Sequence, residues 1–366
     1  MKEKRISHGT INSFVNYGIV LVLYLVIQLL TATGSLSGTF RSQLVPICVY
    51  IVMAISLNLV VGISGELSLG HAGFMSVGAF TGVIVSAALV DAVPSAPLRL
   101  TIAILIGAVF AALAGLLVGI PVLRLHGDYL AIVTLAFGEI IKNIMNCVYV
   151  GADESGLHFS MKSVANLELD EAGAVIINGP MGALGIIKTA TFLSGVILVL
   201  VTLFVIQNLI RSRSGRAIMA IRDNRIAAEA SGLNITKYKL MAFVTSAAFA
   251  GMAGVLYAMN YSTVVAKKFD FNTSILVLVF VVLGGLGNLR GSLIAAALLT
   301  ILPELLREYD MYRMLVYAII LILVMLITNN EQAILLRRRL TNHVVGIWKR
   351  LIATVARKNN TGGVGE

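Results

Sequence analysis

The chain has 366 residues, 58% of them hydrophobic and only 13% charged, with a formal net charge of +10. A soluble domain carries roughly 25% charged and 45–50% apolar residues, so this composition excludes an ordinary soluble enzyme or binding module and describes a chain that crosses a membrane many times. The basic excess gathers in the short N-terminal segment, in residues 211–239 and in the C-terminal tail, as expected of cytoplasmic segments; it reports membrane topology, and no nucleic-acid partner is expected.

Lys2, Lys4 and Arg5 precede a first apolar run over about 14–31. That run is span-length and Thr31-Ala32-Thr33 is a poor cleavage site, which predicts a retained first span with its N-terminus in the cytoplasm rather than a signal peptide. A second span is expected over about 43–61. Residues 62–82, GISGELSLGHAGFMSVGAFTG, then break the pattern: Gly62, Gly65, Gly70 and Gly73 surround Ser64, Glu66, Ser68 and His71. Non-helical backbone at membrane depth survives only where protein or a water-filled cavity satisfies it, and broken helices of this kind mark transport sites. Glycines also let helices pack closely. The ionisable Glu66 and His71 favour a cavity lining, because charge at depth is costly.

Pro94 and Pro97 mark a turn over 91–98, followed by a span over about 100–123. Residues 126–150 predict another helix, with Asp128 at its start, where an acid suits the positive dipole end. Glu139 and Lys142 lie three apart on one face and can neutralise each other, either as an internal salt bridge or as a polar patch facing a pathway. With Asp128, Tyr129 and Thr134 they are the candidates on this helix to line a translocation path, together with Ser64, Glu66, Ser68 and His71 of the break. Residues 151–187 are acidic, with Asp153, Glu154, Glu168, Asp170 and Glu171 against Lys162, and read as the longest non-cytoplasmic loop. It is either a docking surface for an external partner or simply a translocated loop.

A span over about 189–210 leads into RSRSGRAIMAIRDNRIAAEASGLNITKYK, residues 211–239, which hold seven Lys/Arg against Asp223 and Glu229. Such an island cannot sit in lipid. Asp223 or Asn224 can cap a short helix over 225–231, and Gly232 fits the left-handed position that ends it. Its small residues, Ala227 and Ala228 among them, leave a knob that can enter another protein's groove; a solvated basic loop is the alternative.

A further span covers about 240–261, and Lys267, Lys268 and Asp270 make a short outer turn. Residues 274–308 carry a second break at Gly284, Gly285 and Gly287, which loosely echoes the first and suggests duplicated architecture. The last span is expected over about 312–328. Beyond it the basic tail interleaves Leu, Val, Ile and Trp with Arg and Lys, as an amphipathic helix on inner-leaflet lipids would, before a disordered end. Cys48 and Cys147 lie in apolar runs and suggest no disulfide or metal site. Neither Lys162-Ser163 nor Lys188-Thr189 follows the glycine that a P-loop needs.

Three stretches, LNLVVGISGELSLGHAGFMSVGA at 57–79, GDYLAIVTLAFGEIIKNI at 127–144 and SGRAIMAIRDNRIAAEASGLNI at 214–235, supported by VVLGGLGNLRGSLIAAAL at 281–298, resemble the LivH/LivM family, permeases of bacterial branched-chain amino acid ABC transporters, in their LivM-type branch. The resemblance covers the chain to about residue 330. It implies an all-α, polytopic membrane fold with about ten transmembrane helices, glycine-broken or re-entrant segments and a cytoplasmic coupling helix. The residues themselves divide the chain into a permease domain over 1–330 and a basic cytoplasmic tail over 331–366; there the chain departs from the family, which usually carries a proline- and glycine-containing segment after the last span. The resemblance implies a bacterial plasma (inner) membrane location with both termini cytoplasmic, and a non-catalytic subunit with no cofactor of its own, ATP and Mg being bound by partners. Those partners would be a LivH-type second permease, two cytoplasmic ABC ATPases and a periplasmic or lipoprotein substrate-binding protein.

The Ala227-Ala228-x-x-x-Gly232 spacing is similar to the coupling motif of importer permeases, with Ile226 where that motif has Glu and the acid displaced to Glu229. By resemblance, Arg222, Asp223, Asn224, Ala227, Ala228, Glu229 and Gly232 couple to the ATPase. Leucine, isoleucine or valine is the expected substrate. Urea or short amides are the runner-up, and an ion-coupled secondary transporter centred on Glu66 is the rival from another class.

Overall fold

The computed structural model describes residues 8–306 apart from 34–37, 91, 124–128, 154–155, 168 and 170–172, with scattered positions between 312 and 323. Asp128, most of the expected last span and the whole tail therefore lie outside the described residues. The chain divides into two units, Met1–Glu304 and Leu305–Glu366, and everything below belongs to the first.

The described residues are mostly helical. α1 (His8–Ala32) and α2 (Gly38–Asn58) are followed by a single π turn, Leu59–Ile63, that widens the end of α2. Then come α3 (His71–Ala88), α4 (Ala96–Val122) and α5 (Tyr129–Cys147). A small sheet follows, with strands β1 (Tyr149–Asp153), β2 (Gly156–Ser160) and β3 (Ala174–Asn178). The chain continues through α6 (Phe192–Arg211), α7 (Arg213–Asp223), α8 (Arg225–Ala230), α9 (Ile235–Ala258), α10 (Phe271–Gly284) and α11 (Leu289–Leu305).

Crossing a bilayer takes about 20 apolar residues in a helix. Six helices among the described residues are long and apolar enough: Phe40–Ile63, α3, α4, α5, α6 and α9. Against the expected count of about ten, α1 contributes a shorter apolar stretch, Asn16–Thr31, while α10 and α11 have 14 and 17 residues.

In lipid, apolar side chains gain little by leaving one apolar surface for another, so helices associate through close packing of small residues. α3, α4 and α9 do this. A Cβ on Gly78 would fall 2.2 Å from the Gly251 carbonyl oxygen, and one on Gly254 2.0 Å from that of Met75. One on Gly115 would meet Ala247 at 2.6 Å. The three backbones touch where a larger side chain would hold them apart.

The acidic stretch expected to be a loop is instead an antiparallel sheet in the order β2-β1-β3, an element that the all-α expectation leaves out. β1 and β2 form a tight hairpin with Asp153 opposite Gly156. Ala183 bridges Ile177 on one side and Val264 on the other, tying the sheet to the turn between α9 and α10. Short strands and strong turn residues carry too little hydrophobic periodicity to stand out beside the spans.

Candidate functional site

The basic island folds into α7 and α8. Ser212 caps α7 by accepting from the Gly215 amide at 3.1 Å. Of the two candidates to cap α8, Asn224 does so, accepting from the Ala227 amide at 3.0 Å. Asp223 instead pairs with Arg222 at the surface. At the other end the Gly232 amide donates to the Glu229 carbonyl and the Leu233 amide to that of Ala228. This paired closure needs a left-handed residue, and Gly232 has φ +80°. Ala228 is buried against Ile221 and Ile235, with Leu233 and Tyr238 packed on the same cluster. The opposite face of α8 is bare: Ala227 and Glu229 are exposed and Ile226 is 81% exposed. A short rigid knob with an apolar tip results.

The knob is tied to the first glycine break. The Arg222 guanidinium donates to the Gly62 carbonyl at 3.0 Å, and Lys239, at the start of α9, pairs with Glu66. Gly65 has φ +75°, and a Cβ there would press on the Arg222 side chain at 2.7 Å. Glu66 thus sits beside the island. Ser64, Ser68 and His71 are buried. His71 is hydrogen-bonded to Ser56 at 2.9 Å, and Ser56 in turn accepts from Ser246 through its carbonyl.

The backbone of the break finds partners in protein, as non-helical backbone at depth must. The Leu69 amide donates to Thr134 Oγ1 at 3.1 Å and the Ala72 amide to Ser274 Oγ at 3.1 Å. Gly70 caps α3 so close to α5 that a Cβ would lie 2.0 Å from the Thr134 carbonyl oxygen, and Gly73 faces Gly138 in the same way. Among the described residues, the Ser68 hydroxyl is buried without a partner.

The two glycine breaks meet. Asn58, fully buried, accepts from the Gly287 amide at 2.8 Å and donates to Ser292 Oγ at 2.8 Å. Gly62 lies against Gly287, where a Cβ would come 2.2 Å from its amide nitrogen. Gly284 closes α10, and Gly285 and Gly287 both take positive φ in the turn to α11.

On α5, Thr134 is buried, Tyr129 is exposed, and Glu139 pairs with Lys142 as their spacing predicts. Lys142 also lies near Asp270, the N-cap of α10. Burial pushes the Asp270 carboxyl up. Hydrogen bonds from Thr273 and Asn272 and the Lys142 charge outweigh this and leave it below the usual carboxylate range. On the sheet side, a cavity of about 560 Å³ opens between the ends of α3 and α9 and strands β1 and β3, with Ser86, Asp153 and Met259 in its wall.

The structure therefore divides the expected pathway residues. Thr134 joins Gly70, Gly73 and the buried serines; Glu66 joins Arg222 and Lys239; Glu139 and Lys142 stand nearer Asp270. Sequence reasoning missed Asn58, Ser56, Ser274 and Ser292 as the groups that bind the breaks. Their signal was available, since an Asn inside an apolar span needs a partner.

The chain matches the family described as "Branched-chain amino acid transport system / permease component" over residues 40–325, and it belongs to that family. It is 36% identical over 290 residues to the high-affinity branched-chain amino acid transport system permease protein LivM of Escherichia coli, a match covering 73% of this chain and 64% of that relative. The protein of the same description in Salmonella typhimurium is 37% identical over the same shares of each chain. The fructose import permease protein FruG of Bifidobacterium longum is 28% identical over 247 residues, 65% of this chain and 68% of that protein. The match spans just under two thirds of the length of the first two relatives. No solved structure matches the chain.

Proposed function

We propose that this protein is the membrane-spanning permease subunit of an ATP-driven importer for leucine, isoleucine or valine. Partner ATPases in the cytoplasm bind ATP and Mg, a second permease of similar kind completes the path, and an external binding protein delivers substrate. The island 211–239 and both termini lie on the cytoplasmic side of a bacterial inner membrane.

One observation carries this: α8 is exposed at its tip and joined at its base to the first glycine break by Arg222–Gly62 and Lys239–Glu66. A push on α8 reaches the broken helix through two polar ties and the buried Ala228–Ile221 contact. Such coupling works only if the two conformations of the path differ in their contacts with the ATPase. The substrate follows the relatives of higher identity; those named for fructose and ribose import match less well.

The test is co-purification followed by reconstitution. The chain, expressed with its genomic neighbours, is expected to bring down an ATPase pair whose hydrolysis rises with binding protein and leucine. Uptake that follows an ion gradient with no ATPase present would replace this proposal with the secondary-transporter alternative. Within the assembled complex, Gly232→Val is expected to leave ATP hydrolysis running while uptake falls at least tenfold, because a β-branched residue resists φ > 0. Ile226→Arg is expected to lose the ATPase in co-purification.

A further inference from the structure

The edge strand β2 is covered on its polar side and bare on its apolar side. In its pairing with β1, Phe159 stands opposite Val150 and Leu157 opposite Ala152, while His158 stands opposite Gly151 and Ser160 opposite Tyr149. Directly opposite partners share a face of the sheet. The face with His158 and Ser160 lies under the 3-10 turn Val164–Leu167 and the residues after it: Leu167 is buried, and a Cβ on Gly151 would meet Leu169 at 2.7 Å. The face with Leu157 and Phe159 points back to the membrane helices, since Ala152 shares a cavity wall with Val83 and Ser86 of α3 and with Met259 at the end of α9. Under β1 and β3 this face is filled, and the paired Val150 and Ile177 are both 0% exposed. Under β2 it is open: Phe159 is 62% exposed, and Leu157 and Met161, just past the strand, are exposed with it.

A long apolar row left open on an edge strand invites pairing, and surfaces that stay solvated avoid it. The row stands at the end of the helices away from the island. α9 runs from the island at Ile235 to Ala258, and Val264 beyond it bridges to Ala183 beside β3. Phe159 lies opposite Val150, three residues past Cys147, the last residue of α5. The overhang therefore continues the bare end of α5, where Asn143, Ile144 and Cys147 are exposed.

We infer that the β2 overhang clasps the second permease, with Leu157, Phe159 and Met161 laid on an apolar part of that partner; the contact rests on the pairing of two permeases proposed above. A soluble protein arriving from outside would meet the face covered by residues 164–169 instead of this one. Lipid chains do not suit it, because an edge strand presents unpaired backbone groups that hydrocarbon cannot satisfy. A neighbour rising from the membrane beside α5 buries the row and leaves the strand edge to protein or water. Residues 151–171 carry five Asp/Glu against one Lys/Arg, so a basic rim on the partner complements this surface.

The test is maleimide labelling of Phe159→Cys, read by mass spectrometry of the modified peptide. It is run on the solitary chain in detergent and in lipid vesicles, and on the complete importer with and without binding protein. Asn166→Cys, on the exposed turn over the other face, is the reference. The two thiols are expected to react alike in the solitary chain in both media. In the importer the Phe159→Cys thiol alone should slow severalfold, with or without binding protein. Phe159→Arg should leave the thermal stability of the solitary chain unchanged, since the side chain is exposed, and weaken retention of the second permease about tenfold, as loss of an aromatic anchor does. Slowing in vesicles alone would give the row to lipid, and slowing only with binding protein would give it to that protein. Either result overturns the clasp, as would equal rates in an importer that holds a second permease, or full retention of that permease by Phe159→Arg; all four leave the proposed function standing. An importer purified without any second permease would sink the proposed function and the clasp together.

Discussion

Asn58 is buried at the end of α2 and spends both sides of its amide on the second glycine break. Asn58→Ala leaves the Gly287 N–H unpaired, which is expected to cost about 1–3 kcal/mol, read as a shift in thermal unfolding of the detergent-solubilised chain. A change within error would mean that the breaks are held by backbone packing alone. Glu66 and Lys239 are each about 85% covered, with side-chain exposures of 15% and 14%. Removing one partner strands the other charge, so Glu66→Gln should destabilise by about 1–3 kcal/mol, below the range for fully buried pairs. Glu66→Gln with Lys239→Met should recover part of that loss. Additive losses in this cycle would deny the pairing. Asp270, the N-cap of α10, allows a test by pH. Its folded carboxyl is depressed, so its stabilisation is fully present above the unfolded value of about 3.9 and disappears as pH falls through the lower folded value. Asp270→Ala should therefore be about 1 kcal/mol less stable than the parent at pH 7, with the gap closing at strongly acidic pH. A gap independent of pH would point to packing rather than the charged cap.

At the scale of elements, the sequence was most legible where a local rule decides the outcome. Asn224 and Gly232 bracket α8 because capping and a left-handed C-terminus depend on a few neighbouring residues. Glu139 and Lys142 meet because three residues bring side chains onto one helix face. The glycine breaks were visible as composition, but their partners were not. Gly62 meets Gly287 across 224 intervening positions, and Gly70 meets Thr134 from another helix; no local pattern encodes such distances. Glu66 shows the limit well. Its place in an apolar stretch suggested a charge lining a cavity, and nothing local announces that Lys239, 173 residues further on, pairs with it. The sheet at 149–178 was missed for the opposite reason, since five-residue strands are shorter than any window that detects spans. The close contact of α3, α4 and α9 is an element-scale property as well. Gly251→Val would drive a side chain into Ala111 and the Gly107 carbonyl, and overpacking of this kind costs about 1–3 kcal/mol or more. Reduced yield of folded chain, with α8 variants folding normally, is the expected contrast.

For the molecule as a whole, α5 stands apart. It is the least covered of the spans, and its exposed positions, Tyr129, Ile132, Ala136, Ile140, Asn143, Ile144 and Cys147, fall on one helical stripe. A stripe facing only lipid has no use for an exposed asparagine, since polar groups in the membrane interior turn towards protein or water. In the proposed transporter this stripe meets the second permease, which places the Thr134 and Gly70 contact one layer behind the interface. Cys147 lies at one end of the stripe and is exposed, while Cys48 is buried within the helices. These two native thiols make a direct test without mutation. A maleimide should modify Cys147 in the solitary chain at a rate typical of an accessible thiol, and Cys48 only on unfolding. In the assembled complex, Cys147 modification should slow severalfold, and Ile140→Arg should restore it by keeping the partner off. Equal rates in both forms would turn the α5 stripe towards lipid or water, and the partner's contact surface would then have to be sought on α4 or α6, the next least covered of the spans.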